Sequence, residues 1–234
     1  KDLSLTVQAE GKNLLQPKAN LEAEGTLSLK SLFNLFDPGA LEMRRGIMSA
    51  RGLSMAIQKN GEWSFSDLKG LLSLKQILFS ITSHEIETES TLIELKDDGL
   101  LIPPTKGKFN GEDFKLGLRM PSIKMAMAQR HIPLIADLNM SELKYNDLTD
   151  VIASIKEETP DSSQSNAEPW AIEGQLLADI ETFIYDNVKF NDCSVDLEFE
   201  NDQIDFHFDI EAFEGELTGN GVYDYKDQPN MELH

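Results

Sequence analysis

The chain has 234 residues, of which 40% are hydrophobic and 26% are charged, a composition typical of a folded soluble protein. Its 41 acidic and 21 basic residues give a net charge of −20, and a surface of this sign repels phosphate groups. We therefore expect no nucleic-acid binding and no direct adsorption to anionic lipid headgroups. The single cysteine, Cys193, excludes an internal disulfide and a cysteine-cluster zinc site.

Apolar and polar residues alternate from the start of the chain. In the stretch LSLTVQA, the side chains of Leu3, Leu5 and Val7 fall on one face, and ANLEAEGTLSL repeats the pattern. A period of two predicts strands with one apolar face and one solvated face. No signal peptide or membrane-spanning stretch is found. Because the chain starts at Lys1 without a methionine and stops inside what looks like a strand, we expect a fragment of a longer protein.

Three turn dipeptides separate the alternating runs. They are Asn60-Gly61, Asp98-Gly99 and Asn110-Gly111. Asn-Gly and Asp-Gly adopt the positive φ angles that tight hairpins require. The sequence therefore predicts mainly antiparallel β structure.

Short helices are predicted at three places, near residues 31–36, 66–78 and 147–157. Ser66 and Asp147 are candidate N-caps of the second and third helix. The polar, proline-containing stretch that follows, residues 156–169, predicts a flexible loop, with residues 157–168 mobile. It divides the chain into a β-rich segment with short helices, residues 1–155, and a β segment, residues 170–234.

The clearest hairpin joins VDLEFE to IDFHFDI through a turn at residues 200–203. Seven apolar side chains alternate along its two strands and share consistent faces: Val195, Leu197, Phe199, Ile204, Phe206, Phe208 and Ile210. The opposite face carries mainly acids: Asp196, Glu198, Asp205, His207, Asp209 and Glu211. Since acids that alternate along strands do not converge as calcium ligands do, we predict a solvated face and no metal site.

Three glycines follow within the stretch FEGELTGNGVYDYKD. Gly215, Gly219 and Gly221 precede strand-favouring residues, and no Gly-Lys-Ser/Thr sequence is present. We predict turn and strand geometry for them, without a bound nucleotide.

Side chains for catalysis are scattered. Cys193 lies among acids, which raise a thiol pKa and reduce its reactivity. The four histidines form no metal-binding pattern, and His131, before Pro133, is predicted to end or begin a strand. We predict a protein that is not an enzyme and has no catalytic residues, no cofactor and no metal.

Few short helices are available to cover many half-apolar strands. Either two sheets pack face to face as a sandwich, or one curved sheet encloses an apolar groove. The residue pattern leaves both architectures open.

Residues 100–234, and the C-terminal stretch above all, resemble AsmA-like proteins, in the form found in Bacteroidetes-type bacteria. The resemblance is carried by Tyr185-Asp186-Asn187, by the hairpin after it, and by a closing turn with Tyr223-Asp224. The three glycines Gly215, Gly219 and Gly221 match the same closing turn. The stretch LNMSELKYNDLTDVIASIKEE is similar to the strand, helix and variable loop of the family.

The resemblance implies a fold of stacked β units that form a curved antiparallel sheet with two or three short helices and a groove. It also implies a periplasmic chain, anchored in the inner membrane through a segment outside this sequence. The implied function is outer-membrane biogenesis through transport of phospholipids, whose acyl chains contact the seven apolar residues of the late hairpin. The alternative is a secreted or surface β-sandwich that binds protein or carbohydrate.

Overall fold

All strands of the described chain belong to one sheet. The computed structural model describes residues 4–10, 18–33, 41–60, 62–96, 99–123, 125–126, 131–157, 171–200, 203–212, 215–224 and 230–233. Its thirteen strands are β1 (Ser4–Glu10), β2 (Lys18–Ser28), β3 (Leu41–Asn60), β4 (Glu62–Ile81), β5 (His84–Lys96), β6 (Gly99–Phe109), β7 (Glu112–Met120), β8 (His131–Lys144), β9 (Ala171–Tyr185), β10 (Val188–Glu200), β11 (Gln203–Ala212), β12 (Gly215–Asp224) and β13 (Asn230–Leu233).

Each strand pairs with the next strand along the chain, from β1 at one edge to β13 at the other. Every pair is antiparallel except β8 and β9, which are parallel. The predicted mainly β architecture of a curved, groove-like sheet with two or three short helices is confirmed. The alternative of two facing sheets is wrong for the described strands, because each continues the sheet of its predecessor.

The predicted hairpins are present. Asn60 pairs with Glu62, and Lys96 pairs with Gly99, so Asn60 and Gly99 lie in strands and not, as their dipeptides had predicted, in the turns themselves. Asn110 and Gly111 have φ angles of 52° and 93°, the left-handed values expected at the two central residues of a tight hairpin turn. In the late hairpin, Glu200 pairs with Gln203, as the predicted turn at residues 200–203 requires.

Two helices with described bounds accompany the sheet, α1 (Leu29–Phe33) and α2 (Tyr145–Glu157), and Ile123, Met125 and Ala126 are also helical. The helix predicted near residues 147–157 is therefore confirmed, and α1 overlaps the one predicted at 31–36, of which residues 34–36 lie outside the described chain. Asp147 is the third residue of α2 and not its N-cap, because the helix begins directly where β8 ends. The predicted mobile loop lies outside the described residues, except for its first residues, which end α2.

The helix predicted near residues 66–78 is wrong. These residues belong to β4, although their apolar residues are spaced three and four apart as in a helix. The spacing arises because Gln76 has a left-handed φ of 52°, which interrupts the alternation of the strand. Leu74 and Ile77 therefore pack on the same cluster despite being three residues apart.

The helix α1 packs on one face of the sheet at β2 and β3. Its Leu29 forms a buried cluster with Met43 of β3 and Ile77 of β4, and we call this group the Leu29 cluster. Five other apolar side chains of the helix and the sheet pack against it, among them Leu74 and Phe79. The helix thus covers the apolar side of the sheet near its N-terminal edge.

Gly174 provides a test of the parallel junction between β8 and β9. It pairs with Leu134 and has a φ of 135°, and an added Cβ would lie 1.8 Å from the carbonyl oxygen of Leu134. We expect Gly174→Ala to lower the free energy of unfolding by at least about 2 kcal/mol, because both the backbone and the strand contact must shift.

The matched control is Gly117→Ala, since a Cβ at Gly117 meets its nearest atom, in Pro104, at an ordinary 3.5 Å. That variant is expected to change the free energy of unfolding by less than about 0.5 kcal/mol. Urea denaturation followed by circular dichroism measures both. Equal stability of the two variants would contradict the described junction.

Candidate functional site: the apolar face of the sheet

The seven apolar residues predicted on the late hairpin lie on one face of the sheet. In the register of β10 and β11, Val195 pairs with Phe208, Leu197 with Phe206, and Phe199 with Ile204. Directly paired residues project to the same side of a sheet. The seventh residue, Ile210, alternates with Phe208 on β11 and packs against Met140, Ile180 and Cys193.

Those three residues form a second buried group, which we call the Met140 cluster. Met140, Ile180 and Cys193 are directly paired across β8, β9 and β10 and are 6%, 7% and 3% exposed. Phe114 of β7 is the partner of Met140 in the register. The cluster therefore continues the face of the late hairpin toward the middle of the sheet.

The same face reaches the Leu29 cluster through an unbroken series of strand partners. Phe79 of β4 pairs with Ile86, and Ile86 pairs with Phe109 of β6, which packs against the Met140 cluster. We call this whole side, from the Leu29 cluster to β12, the apolar face. It extends across ten neighbouring strands, from β3 to β12.

Burial differs between the two halves of the apolar face. All buried large apolar side chains of the described chain lie in α1 and in β3 to β10, whereas the seven late-hairpin residues are only half-buried. Of the two helices, α1 packs on β2 and β3, and α2 contacts β8 and β9. Within the described chain, the face is therefore covered near its N-terminal edge, whereas the helices make their main contacts away from β10 to β12.

The total surface agrees with an open sheet. The chain exposes 16,072 Å² of accessible surface. A compact monomer of 26.2 kDa is expected to expose about 10,600 Å². A single layer with two exposed sides has a larger surface than a compact monomer of the same mass.

Glycines allow aromatic rings to lie flat on the open half. Gly219 of β12 pairs with Phe208, and a Cβ at Gly219 would lie 2.4 Å from Cζ of that ring. The rings of Phe206 and Phe208 are nearly parallel, with an interplanar angle of 12°. Because Gly219 has no side chain, the ring of Phe208 lies against the strand, and the two rings form a flat apolar surface that we call the apolar floor.

The three glycines that were predicted to have turn and strand geometry, Gly215, Gly219 and Gly221, all belong to β12. Gly215 is the first residue of β12, after two residues outside the described chain, whereas Gly219 and Gly221 lie inside the strand. The left-handed glycines are elsewhere, and Gly215, Gly219 and Gly221 are not among them. For Gly219, the relevant property is the absence of a Cβ under Phe208.

The opposite face of the late hairpin is acidic, as predicted. Asp196 pairs with His207, and Glu198 lies directly opposite Asp205. Local hydrogen bonds satisfy part of this face: Thr218 donates to Asp209 at 2.7 Å, and His207 lies 3.2 Å from the same carboxylate. Of the 21 basic residues, only Lys189 and Lys226 lie within residues 171–234, so this outer face is strongly anionic.

Cys193 is a packing residue. Its side chain is buried in the Met140 cluster, and burial raises the pKa of the thiol, with a smaller contribution from the negative charge of Asp192. The sequence prediction attributed the raised pKa to the acids, whereas burial is the larger cause. A protonated buried thiol is a poor nucleophile.

His131 begins β8, as predicted, and lies 2.8 Å from Glu173.

A polar junction that the sequence analysis did not identify joins α2 to the sheet. Asn110, in the turn between β6 and β7, donates from Nδ2 to Asp147 of α2 at 3.0 Å and contacts Nδ1 of His84 at 2.9 Å. The imidazole of His84 is 6% exposed and stacks on Phe109. The Asn-Gly turn signal marked Asn110 as a turn residue, but nothing local in the sequence connects it with residues 84 and 147.

A pair of charge substitutions tests whether the late hairpin is open. We expect Phe206→Asp to cost less than about 1.5 kcal/mol, because Phe206 is only partly buried and a carboxylate there keeps contact with water. Its matched control, Ile180→Asp, introduces the same charge into the Met140 cluster and is expected to cost more than about 4 kcal/mol. Thermal unfolding measures both, and loss of folding in both variants would show that the late hairpin is covered.

In the described part of the chain, no three His, Cys, Asp or Glu side chains are arranged to hold a metal ion. None of the helices described is long and apolar enough to cross a membrane. Comparison of the chain with protein-family models, with curated proteins and with solved structures finds no match.

Proposed function

We propose that the chain is part of an AsmA-like protein of the bacterial envelope and that it binds the acyl chains of phospholipids on the open half of the apolar face. It acts without catalysis, in outer-membrane biogenesis, by transport of lipids along the sheet. The proposal places it in the periplasm, with an inner-membrane anchor in a segment outside this sequence. The resemblance of residues 100–234 to the family supports this assignment.

The observation that carries the proposal is the contrast between the two sides of β10 and β11. One side presents half-buried Leu197, Phe206 and their neighbours without a covering helix, and the other presents a hydrated row of acids. An apolar surface of this extent costs free energy in water, and a hydrocarbon chain removes that cost on binding. The acidic outer side keeps the sheet soluble and repels anionic headgroups.

The contacts of the face fit a hydrocarbon better than a polar ligand. The floor consists of aliphatic side chains and of rings that lie flat on glycines, such as Phe208 on Gly219. A carbohydrate needs convergent hydrogen-bonding groups, and the polar groups of this hairpin lie on the other side. The alternative of a sandwich that binds carbohydrate or protein is further weakened by the single sheet.

Photocrosslinking at neighbouring positions tests the proposal. A benzophenone amino acid replaces Leu197 or Phe206 on the apolar face, and Asp196 or His207 on the acidic face. The protein is incubated with vesicles of phosphatidylethanolamine and phosphatidylglycerol that carry radiolabelled acyl chains, and is then irradiated. We expect labelled adducts at Leu197 and Phe206 at least about tenfold above those at the acidic positions, because acyl chains partition to the apolar side.

Successive residues of a strand project to opposite sides of the sheet. Leu197 and Asp196, and likewise Phe206 and His207, therefore probe opposite faces at nearly the same position along the strand. Circular dichroism of the four variants verifies that each is folded. Equal labelling on both faces, or none at the apolar positions in folded protein, would contradict acyl-chain binding here.

A further inference from the structure

We propose that α2 is a movable cover of the apolar face, held in place by Asn110, and that its release joins the covered part of the face at Phe109 to the open half. The inference rests on the proposed function, since the ligand that benefits from a longer apolar surface is an acyl chain. It adds that the position of α2 determines how much of the apolar face an acyl chain can reach.

The contacts of Asn110 with Glu85, His84 and Asp147 hold α2 on the sheet, and we call them the latch. The backbone N–H of Asn110 donates to the carbonyl of Glu85 at 2.9 Å, and its Oδ1 accepts the N–H of Glu85 at 2.9 Å. Because Oδ1 is used in this way, Nδ2 is the group that donates to Asp147 and to Nδ1 of His84. The side-chain amide of Asn110 thereby connects the start of β5 and the end of β6 to the first turn of α2.

The latch leaves one buried group unsatisfied. Since Nδ1 of His84 accepts a hydrogen bond, the ring proton lies on Nε2, which is buried without a hydrogen-bond partner. The nearest acceptor, Oδ2 of Asp150 on α2, is 3.6 Å away, beyond hydrogen-bonding distance. A buried donor without a partner costs free energy, and hydration of Nε2 when α2 moves away recovers it.

Two apolar side chains at the start of α2 are only partly buried. Tyr145 and Leu148 are 40% and 39% exposed. Tyr145 meets Tyr185 edge-on at a centroid distance of 5.0 Å, and Tyr185 is itself 47% exposed. Displacement of the first turn therefore moves side chains that already contact water, and it breaks the hydrogen bond from Asn110 to Asp147.

Beneath the junction lies a continuation of the apolar face. His84 stacks on Phe109, and Phe109 packs against the Met140 cluster, whose Cys193 is two residues from Val195 on the same strand. With α2 in place, the face is covered at His84. With α2 released, it runs from Phe109 to the late hairpin, so an acyl chain that occupies this length binds the released state preferentially and shifts α2 toward it.

The test uses Asp147→Ala, which removes the acceptor of the latch and leaves the sheet and its turn unchanged. The matched control is Thr149→Ala, since Thr149 lies on the same helix and bonds only to the backbone of its own first turn among the contacts described. In the absence of lipid, we expect hydrogen–deuterium exchange of the α2 amides to rise about tenfold in Asp147→Ala and to stay unchanged in Thr149→Ala.

Lipid capture is then measured with the benzophenone probe at Phe109 and at Leu197, using the same vesicles of phosphatidylethanolamine and phosphatidylglycerol. Asp147→Ala is expected to increase capture at Phe109 about fivefold or more and to leave capture at Leu197 unchanged. Thr149→Ala is expected to match the parent protein at both positions.

The possible failures are distinguishable. Unchanged exchange of α2 in Asp147→Ala overturns the latch, and capture at Leu197 without any increase at Phe109 overturns the cover while the proposed function stands. Absence of capture at both positions in every folded variant contradicts the proposed function, and the inference falls with it.

Discussion

The structure depends on one constraint: each strand satisfies its backbone hydrogen bonds with its neighbours in the sequence, so the chain forms a single layer. A single layer of amphipathic strands has an apolar side that must be covered by something else. Within the described chain, α1 and α2 cover only part of it, and β10 to β12 keep a half-buried apolar floor. The open floor and the large accessible surface follow from this arrangement.

The sequence predicts well where the alternation is uninterrupted and the turns are local. Between Val195 and Phe199, and between Ile204 and Ile210, every second residue is apolar, and the register confirms the faces. The Asn110-Gly111 turn was predicted for the same reason, because the left-handed φ angles of a tight hairpin restrict the residues that fit. Such features depend on neighbours a few residues away.

The sequence fails to predict features that depend on irregular backbone or on distant partners. Gln76, with a left-handed φ inside β4, shifts the alternation and gives the strand a helical spacing. The parallel pairing of β8 and β9 brings Gly174 against Leu134 across a long connection. The junction of His84, Asn110 and Asp147 joins residues from three separate parts of the chain, so no local sequence pattern predicts it.

The charge distribution and the apolar floor together give the central claim, which is that a soluble, acidic sheet carries hydrocarbon on one side. The most direct measurement is mass spectrometry of lipids extracted from the natively folded protein after purification from bacterial cells without detergent. The account predicts diacyl phospholipids in the wild-type protein and their loss in Phe206→Asp at unchanged fold. Folded wild-type protein that yields no lipid, or equal lipid from both proteins, would contradict it.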